Sequence, residues 1–189
     1  KLPLIASGIT INRVEVWITN KRGNFNEARN IVAFMDLAET DSIDKPGIWH
    51  KNAGVTLPQN DANTLYGALK SVDEVRDIQK TSDYLFTTYG TSITGGEDYE
   101  KIESARRLDN SEYTVNNTVG YVSLRGVLKP DEVLAVAYEY TYGGKTYQVG
   151  EFSTDKGIES PKALLLKLLK SSTQSPDLKS WDLMMKNIY

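Results

Sequence analysis

The chain has 189 residues, 40% apolar and 25% charged, which is ordinary globular composition with enough apolar surface for a core that needs no covalent staples. It holds no cysteine and one histidine, His50, which excludes disulfides, iron–sulfur clusters, thiolate-zinc sites, cysteine nucleophiles and any site needing two histidines. Its 22 basic and 25 acidic side chains leave a formal net charge of −3, against the basic excess of a general nucleic-acid binder.

In chain order, Lys1-Leu2-Pro3-Leu4 has neither an initiator methionine nor a signal pattern. Ile9 to Ile18 is rich in β-branched residues and predicts a strand with Val14, Val16 and Ile18 on one face. Ile11 falls out of phase with them, which predicts a bulge or an edge position near Asn12. Asn20 to Asn24 reads as a turn, and Ile31 to Leu37 as a second strand, paired with the first in a long-looped N-terminal hairpin. Residues 41–63 form a long polar loop whose Ile48, Trp49, Val55 and Leu57 suggest that it packs down. Asp61 or Asn63 caps a short helix through Leu65 and Leu69, and Ser71-Val72-Asp73-Glu74 resembles a capping box. Tyr84 to Tyr89 reads as a strand. Glu97 to Leu108 reads as a helix, with Tyr99, Ile102, Ala105 and Leu108 at helical spacing, acids early and Arg106-Arg107 late.

The second half predicts strands at Tyr113–Val115, Val119–Arg125, Val133–Tyr142 and Thr146–Ser153, the last two joined by a Gly143-Gly144 turn. In Val133–Tyr142 one face carries Leu134, Val136, Tyr138, Tyr140 and Tyr142, the other Ala135, Ala137, Glu139 and Thr141. Ser160-Pro161 reads as the start of a helix with Leu164, Leu165, Leu168 and Leu169 as its apolar face. Trp181 to Ile188 is a short helix or a docked tail. The longest strictly apolar run, Val133 to Tyr138, is far short of a membrane-spanning helix. The fold class expected is therefore α+β. Its antiparallel sheet has the meander at about 113–153 as its main part, with the N-terminal hairpin added and helices packed on one face.

Few residues point to chemistry. His50 lies in the polar loop with no acid or nucleophile at a diagnostic spacing, so a loop-packing histidine outweighs a general base. Asp36 and Glu39 fit a polar strand end better than a site. Glu97-Asp98 and Asp73-Glu74 fit helix starts. Gly95-Gly96 lacks a phosphate-loop lysine, and Asp41, Asp44 and Asp61 do not match a calcium loop. Asn116-Asn117-Thr118 matches a glycosylation sequon. Six of the 11 tyrosines fall between Tyr113 and Tyr147, so the candidate binding surface is aromatic: Tyr138, Tyr140, Tyr142 and Tyr147, with Trp49. A sheet core beneath the Leu164 segment explains the same tyrosines equally well.

Three stretches carry a family resemblance: Arg13 to Lys21 leading into Arg29 to Leu37, Glu132 to Gly144 with Tyr147 to Phe152, and Trp181 to Asn187. They resemble an internal segment of the SprA/Sov family, gliding-motility cell-surface proteins that form the outer-membrane translocon of the type IX secretion system in Bacteroidetes. The resemblance implies that residues 1–189 are one soluble domain excised from a much larger barrel-forming chain, so that both ends are cuts. It implies a non-enzymatic scaffold or interaction role without cofactor or metal, in the cell envelope at the outer membrane. Its partners would be other secretion-system components, secreted cargo and the rest of its own chain, with no nucleic acid and no membrane span within the domain. A cell-surface carbohydrate- or peptide-binding module using the tyrosine-rich face is the alternative.

Overall fold

The computed structural model describes residues 8–21, 23, 25, 27–117 and 120–184. The expectations for Lys1 to Leu4, for Arg22 and Asn24 of the first turn, for Val119 and for Met185 to Tyr189 lie outside the described residues. The elements in order are β1 (Ile9–Ile18), β2 (Arg29–Phe34), α1 (Thr64–Leu69), α2 (Asp73–Arg76), α3 (Thr81–Tyr89), β3 (Tyr99–Arg107), β4 (Tyr113–Asn116), β5 (Tyr121–Leu124), β6 (Leu134–Tyr142), β7 (Lys145–Val149) and β8 (Leu164–Lys170).

The expected open α+β sheet is overturned. The strands run β1-β3-β2-β8-β6 and β6 pairs back onto β1, closing a five-stranded barrel. All contacts are antiparallel except β2–β8, which is parallel. The N-terminal hairpin does not form, because β3 lies between β1 and β2. The 113–153 meander is split as well. β4 and β5 make a separate two-stranded sheet, and among the described residues β7 pairs only with β6, outside the ring.

The physical reason is burial on both sides of the wall. Inside the barrel, Trp17, Phe152, Ile31, Ile102, Leu164, Leu166 and Leu168 fill the space, and Ala33, Ala105, Ala135 and Ala137 make room for the large rings. Mixed small and large residues suit the narrow interior of a small barrel. Outside, one flank of β2, β3 and β8 is covered by Trp49 and by Leu65, Leu69, Val75 and Leu85 of the three short helices. The flank of β1 and β6 is covered by the β4–β5 hairpin through Tyr113, Val115, Val122 and Leu124. The helices thus pad part of a barrel wall and do not cover a sheet face.

Three local readings change with the architecture. Leu164–Lys170 is a strand, entered through a cis Ser160–Pro161 bond. Its leucines are consecutive because both of its faces are buried, as in a central parallel strand. Tyr99–Arg107 is a strand whose three-residue spacing comes from a bulge: Ile31 pairs with Ile102 but Arg29 with Ala105, and Ser104 takes φ +51°. Ile102 and Ala105 therefore both point inward. Thr81–Tyr89 is a helix that buries Leu85 and exposes Phe86. The irregularity expected near Asn12 is present as a register shift between Ile11 and Arg13, which keeps Ile9 and Ile11 on the outer face with Val14, Val16 and Ile18. Asn63 caps α1 by accepting from the Leu65 N–H, whereas α2 starts at Val72 without a side-chain cap.

Candidate functional site

Strands β6 and β7 position the tyrosines. Tyr138 and Tyr140 lie two apart on the outer face of β6, opposite the inward alanines, and Tyr140 faces Tyr147 across the β6–β7 pair. The three rings form a ladder: Tyr138 to Tyr140 at 6.1 Å and 30°, Tyr140 to Tyr147 at 5.3 Å and 22°. Tyr140 is buried, and its hydroxyl donates to the Pro58 carbonyl at 2.7 Å, which ties the long 41–63 loop to the sheet. Burial and the neighbouring Tyr147 push its hydroxyl pKa up to about 12. Burial raises that of Tyr138 too. Tyr147 is half-buried, and Tyr142, 40% exposed, is the most open ring of the ladder strand. Trp49 is not on this surface. It is buried under the helices, edge-on to Tyr89 at 5.1 Å. The structure therefore brings Tyr138, Tyr140 and Tyr147 together, leaves Tyr142 at the hairpin end, and separates Trp49.

His50 is exposed, and its ring makes no hydrogen bond or ion pair among the described residues. Its backbone N–H donates to the Thr64 hydroxyl at 3.0 Å. Among the described residues no group of three or more His, Asp or Glu side chains is placed to hold a metal ion. Thr118 of the sequon lies outside the described residues.

Three of the acids weighed in the sequence, Asp36, Glu39 and Asp98, are bound internally. Asp36 accepts from the backbone N–H groups of Asp44 (2.6 Å) and Lys45 (2.9 Å), fixing the entry of the long loop. Glu39 pairs with Lys167 on β8, whose ammonium also donates to the Met35 carbonyl. Burial lowers the Lys167 pKa against the opposing pull of Glu39. Asp98 accepts from the Thr94 N–H at 2.6 Å and pairs with Lys45 at 3.1 Å, yet desolvation still raises its pKa.

Two polar arrangements had no signal in the sequence. Glu151, 1% exposed, takes both Arg76 terminal nitrogens, the Tyr66 hydroxyl at 3.0 Å and the Leu165 N–H at 2.7 Å. It locks α1 and α2 to β8 and holds the Tyr66 hydroxyl well above its usual pKa, with burial the largest cause. At one end of the barrel Glu15 binds Arg13, Arg107 and both the N–H and hydroxyl of Ser153, while Arg13 lies 4.0 Å over the Phe152 ring. Ser153 and Glu15, or Arg76 and Glu151, lie too far apart in sequence for any spacing to announce them.

Beside β7 a groove opens between the Gln59–Asp61 loop, Tyr66, Thr146–Gln148 and residues 155–158. Asn60 ties the lining loop to the end of β7: its N–H donates to the Gln148 carbonyl at 2.9 Å, and its amide bonds both the carbonyl (3.1 Å) and the N–H (2.6 Å) of Gly150.

No protein-family model matches the chain, and no curated protein matches it in sequence.

Proposed function

We propose that the chain is a non-enzymatic scaffold or interaction domain of an outer-membrane protein-secretion translocon of the SprA/Sov type. One observation carries the reading. Two of the stretches behind the resemblance, Arg13–Lys21 and Glu132–Gly144, are not scattered over the molecule. They lie side by side as β1 and β6, paired from Ile9↔Tyr142 to Ile18↔Leu134. Arg29–Leu37 supplies β2, on the far side of β3, and Tyr147–Phe152 overlaps β7, so the resemblance follows the barrel framework, as a shared scaffold would give. The buried polar clusters around Glu15, Glu151 and Lys167 act in the same direction, since their groups are bound to one another and hold the scaffold together.

In-frame removal of this segment from the full-length gene tests the reading. Export of type IX cargo is expected to stop while the remaining chain is still found in the outer-membrane fraction. Normal cargo export from such a strain contradicts the proposal.

The ligand-binding alternative is favoured by one observation, the accessibility of Tyr142 and Tyr147 at the β6–β7 end. It no longer includes Tyr140 or Trp49, whose rings are buried.

A further inference from the structure

The groove beside β7 is lined by polar side chains open to solvent, Asp61 and Lys156 exposed and Gln59 and Tyr147 half-buried. The side chains of Gln59, Asp61 and Lys156 and the Tyr147 hydroxyl make no hydrogen bond or ion pair among the described residues, and all four line this one groove. We propose that the groove binds a neutral saccharide, with Tyr147 as the stacking ring and Gln59 and Asp61 as partners for its hydroxyls.

The chemistry of the lining selects this class. A sugar presents an apolar C–H face and a rim of hydroxyls, so it needs a flat ring beside planar amides and carboxylates. Tyr147 is held in place by its stack on Tyr140, 5.3 Å away, so little side-chain freedom is lost on binding. Gln59 offers a donor and an acceptor on one planar group, and Asp61 two acceptors. Among the described residues of the lining, Asp61 and Asp155 outnumber the single cation, Lys156, which disfavours acidic sugars. An extended peptide added to the β7 edge is the competing occupant. It would need the outward backbone groups of the strand and of the chain that leaves it, and Asn60 already takes the Gln148 carbonyl at the strand's end and both groups of Gly150 just beyond it. The inference does not depend on the translocon reading, since a scaffold domain with or without that role can carry a glycan site.

The test is titration of the isotopically labelled 189-residue chain with neutral trisaccharides (maltotriose, cellotriose, chitotriose and mannotriose), with trigalacturonate and a Thr-Val hexapeptide alongside, read by amide chemical shifts. At least one neutral trisaccharide is expected to move the Gln59–Asp61 and Thr146–Gln148 amides together. Gln59→Ala, a loop substitution that leaves the fold intact, and Tyr147→Leu should each weaken that binding by about tenfold. The proposal is overturned if no neutral trisaccharide moves those amides. It is equally overturned if only trigalacturonate or the hexapeptide does so, or if Gln59→Ala leaves the binding unchanged.

Discussion

Gly150 sits where the chain leaves β7 and folds back against β6, with φ +73°. A Cβ there would stand 3.0 Å from the Val136 carbonyl oxygen and 3.1 Å from the Ala137 Cα and Cβ, so it meets backbone that cannot yield. Gly157 shares a left-handed φ of +84°, but among the described residues nothing lies within 4 Å of its missing Cβ. Gly150→Ala is expected to lower stability by about 2–4 kcal/mol and Gly157→Ala by about 1–2 kcal/mol, the second figure being conformational strain alone. Urea denaturation of both variants checks the difference. Arg76 and Glu151 make a comparable contrast. Arg76→Met leaves a carboxylate that is 1% exposed without its cation and should cost about 3–5 kcal/mol. Adding Glu151→Gln, which keeps an acceptor for the Leu165 N–H, should recover part of that loss in a double-mutant cycle. Asp98 sets a pH dependence. Its folded pKa is raised above 3.8, chiefly by desolvation, so the folded state binds this proton more tightly than the unfolded one. Its contribution to stability therefore falls as pH rises from the unfolded value through the raised folded value, and is constant above that. Relative to Asp98→Asn, the parent protein should lose stability as pH rises across that acid window; a parent that instead gains stability relative to the variant would contradict the assignment.

At the scale of elements, β8 shows most clearly what the sequence conveyed and what it hid. Its run of leucines signalled burial, and burial is what the structure shows. Helix and two-sided strand leave the same apolar run, however, and Ser160-Pro161 tipped the reading the wrong way. Strand β3 was hidden for another reason: the bulge at Ser104 converts alternation into a three-residue repeat that imitates a helix. The bulge in β1, by contrast, was legible at Asn12, because the β-branched run around it left the out-of-phase Ile11 conspicuous. The β6–β7 hairpin was legible from Gly143-Gly144 and the alternating tyrosines. Of the candidate site, the common face of Tyr138, Tyr140 and Tyr142 on β6 was readable from their alternation. The closure of Tyr140 by Pro58 and the loss of Trp49 to the helical side were not, since both depend on where the long loop lies. If β8 is an interior strand, Leu166→Ala opens a cavity inside the barrel and should cost about 2–5 kcal/mol, measured by chemical denaturation. Thr146→Ala, on the exposed stretch of β7, should change stability by about 0.5 kcal/mol or less.

For the whole molecule, closure of the ring organises everything else. It buries both faces of the wall and brings Glu15 to Ser153 and Glu151 to Arg76. It also leaves β7 outside the ring as a ledge, beside which the groove forms. An open sheet with the same strands would free the β1 and β6 edges and expose the alanine faces that Trp17 now fills. Trp17 is the residue at which closure is read, because it pairs with Arg107 of β3 on one side and with Ala135 of β6 on the other. The decisive measurement is the set of backbone nuclear Overhauser effects from Trp17 in the isotopically labelled chain. The closed barrel predicts cross-strand contacts from Trp17 to both Arg107 and Ala135 in the same molecule. Contacts to only one of them, with fast amide exchange along the other edge of β1, would contradict it.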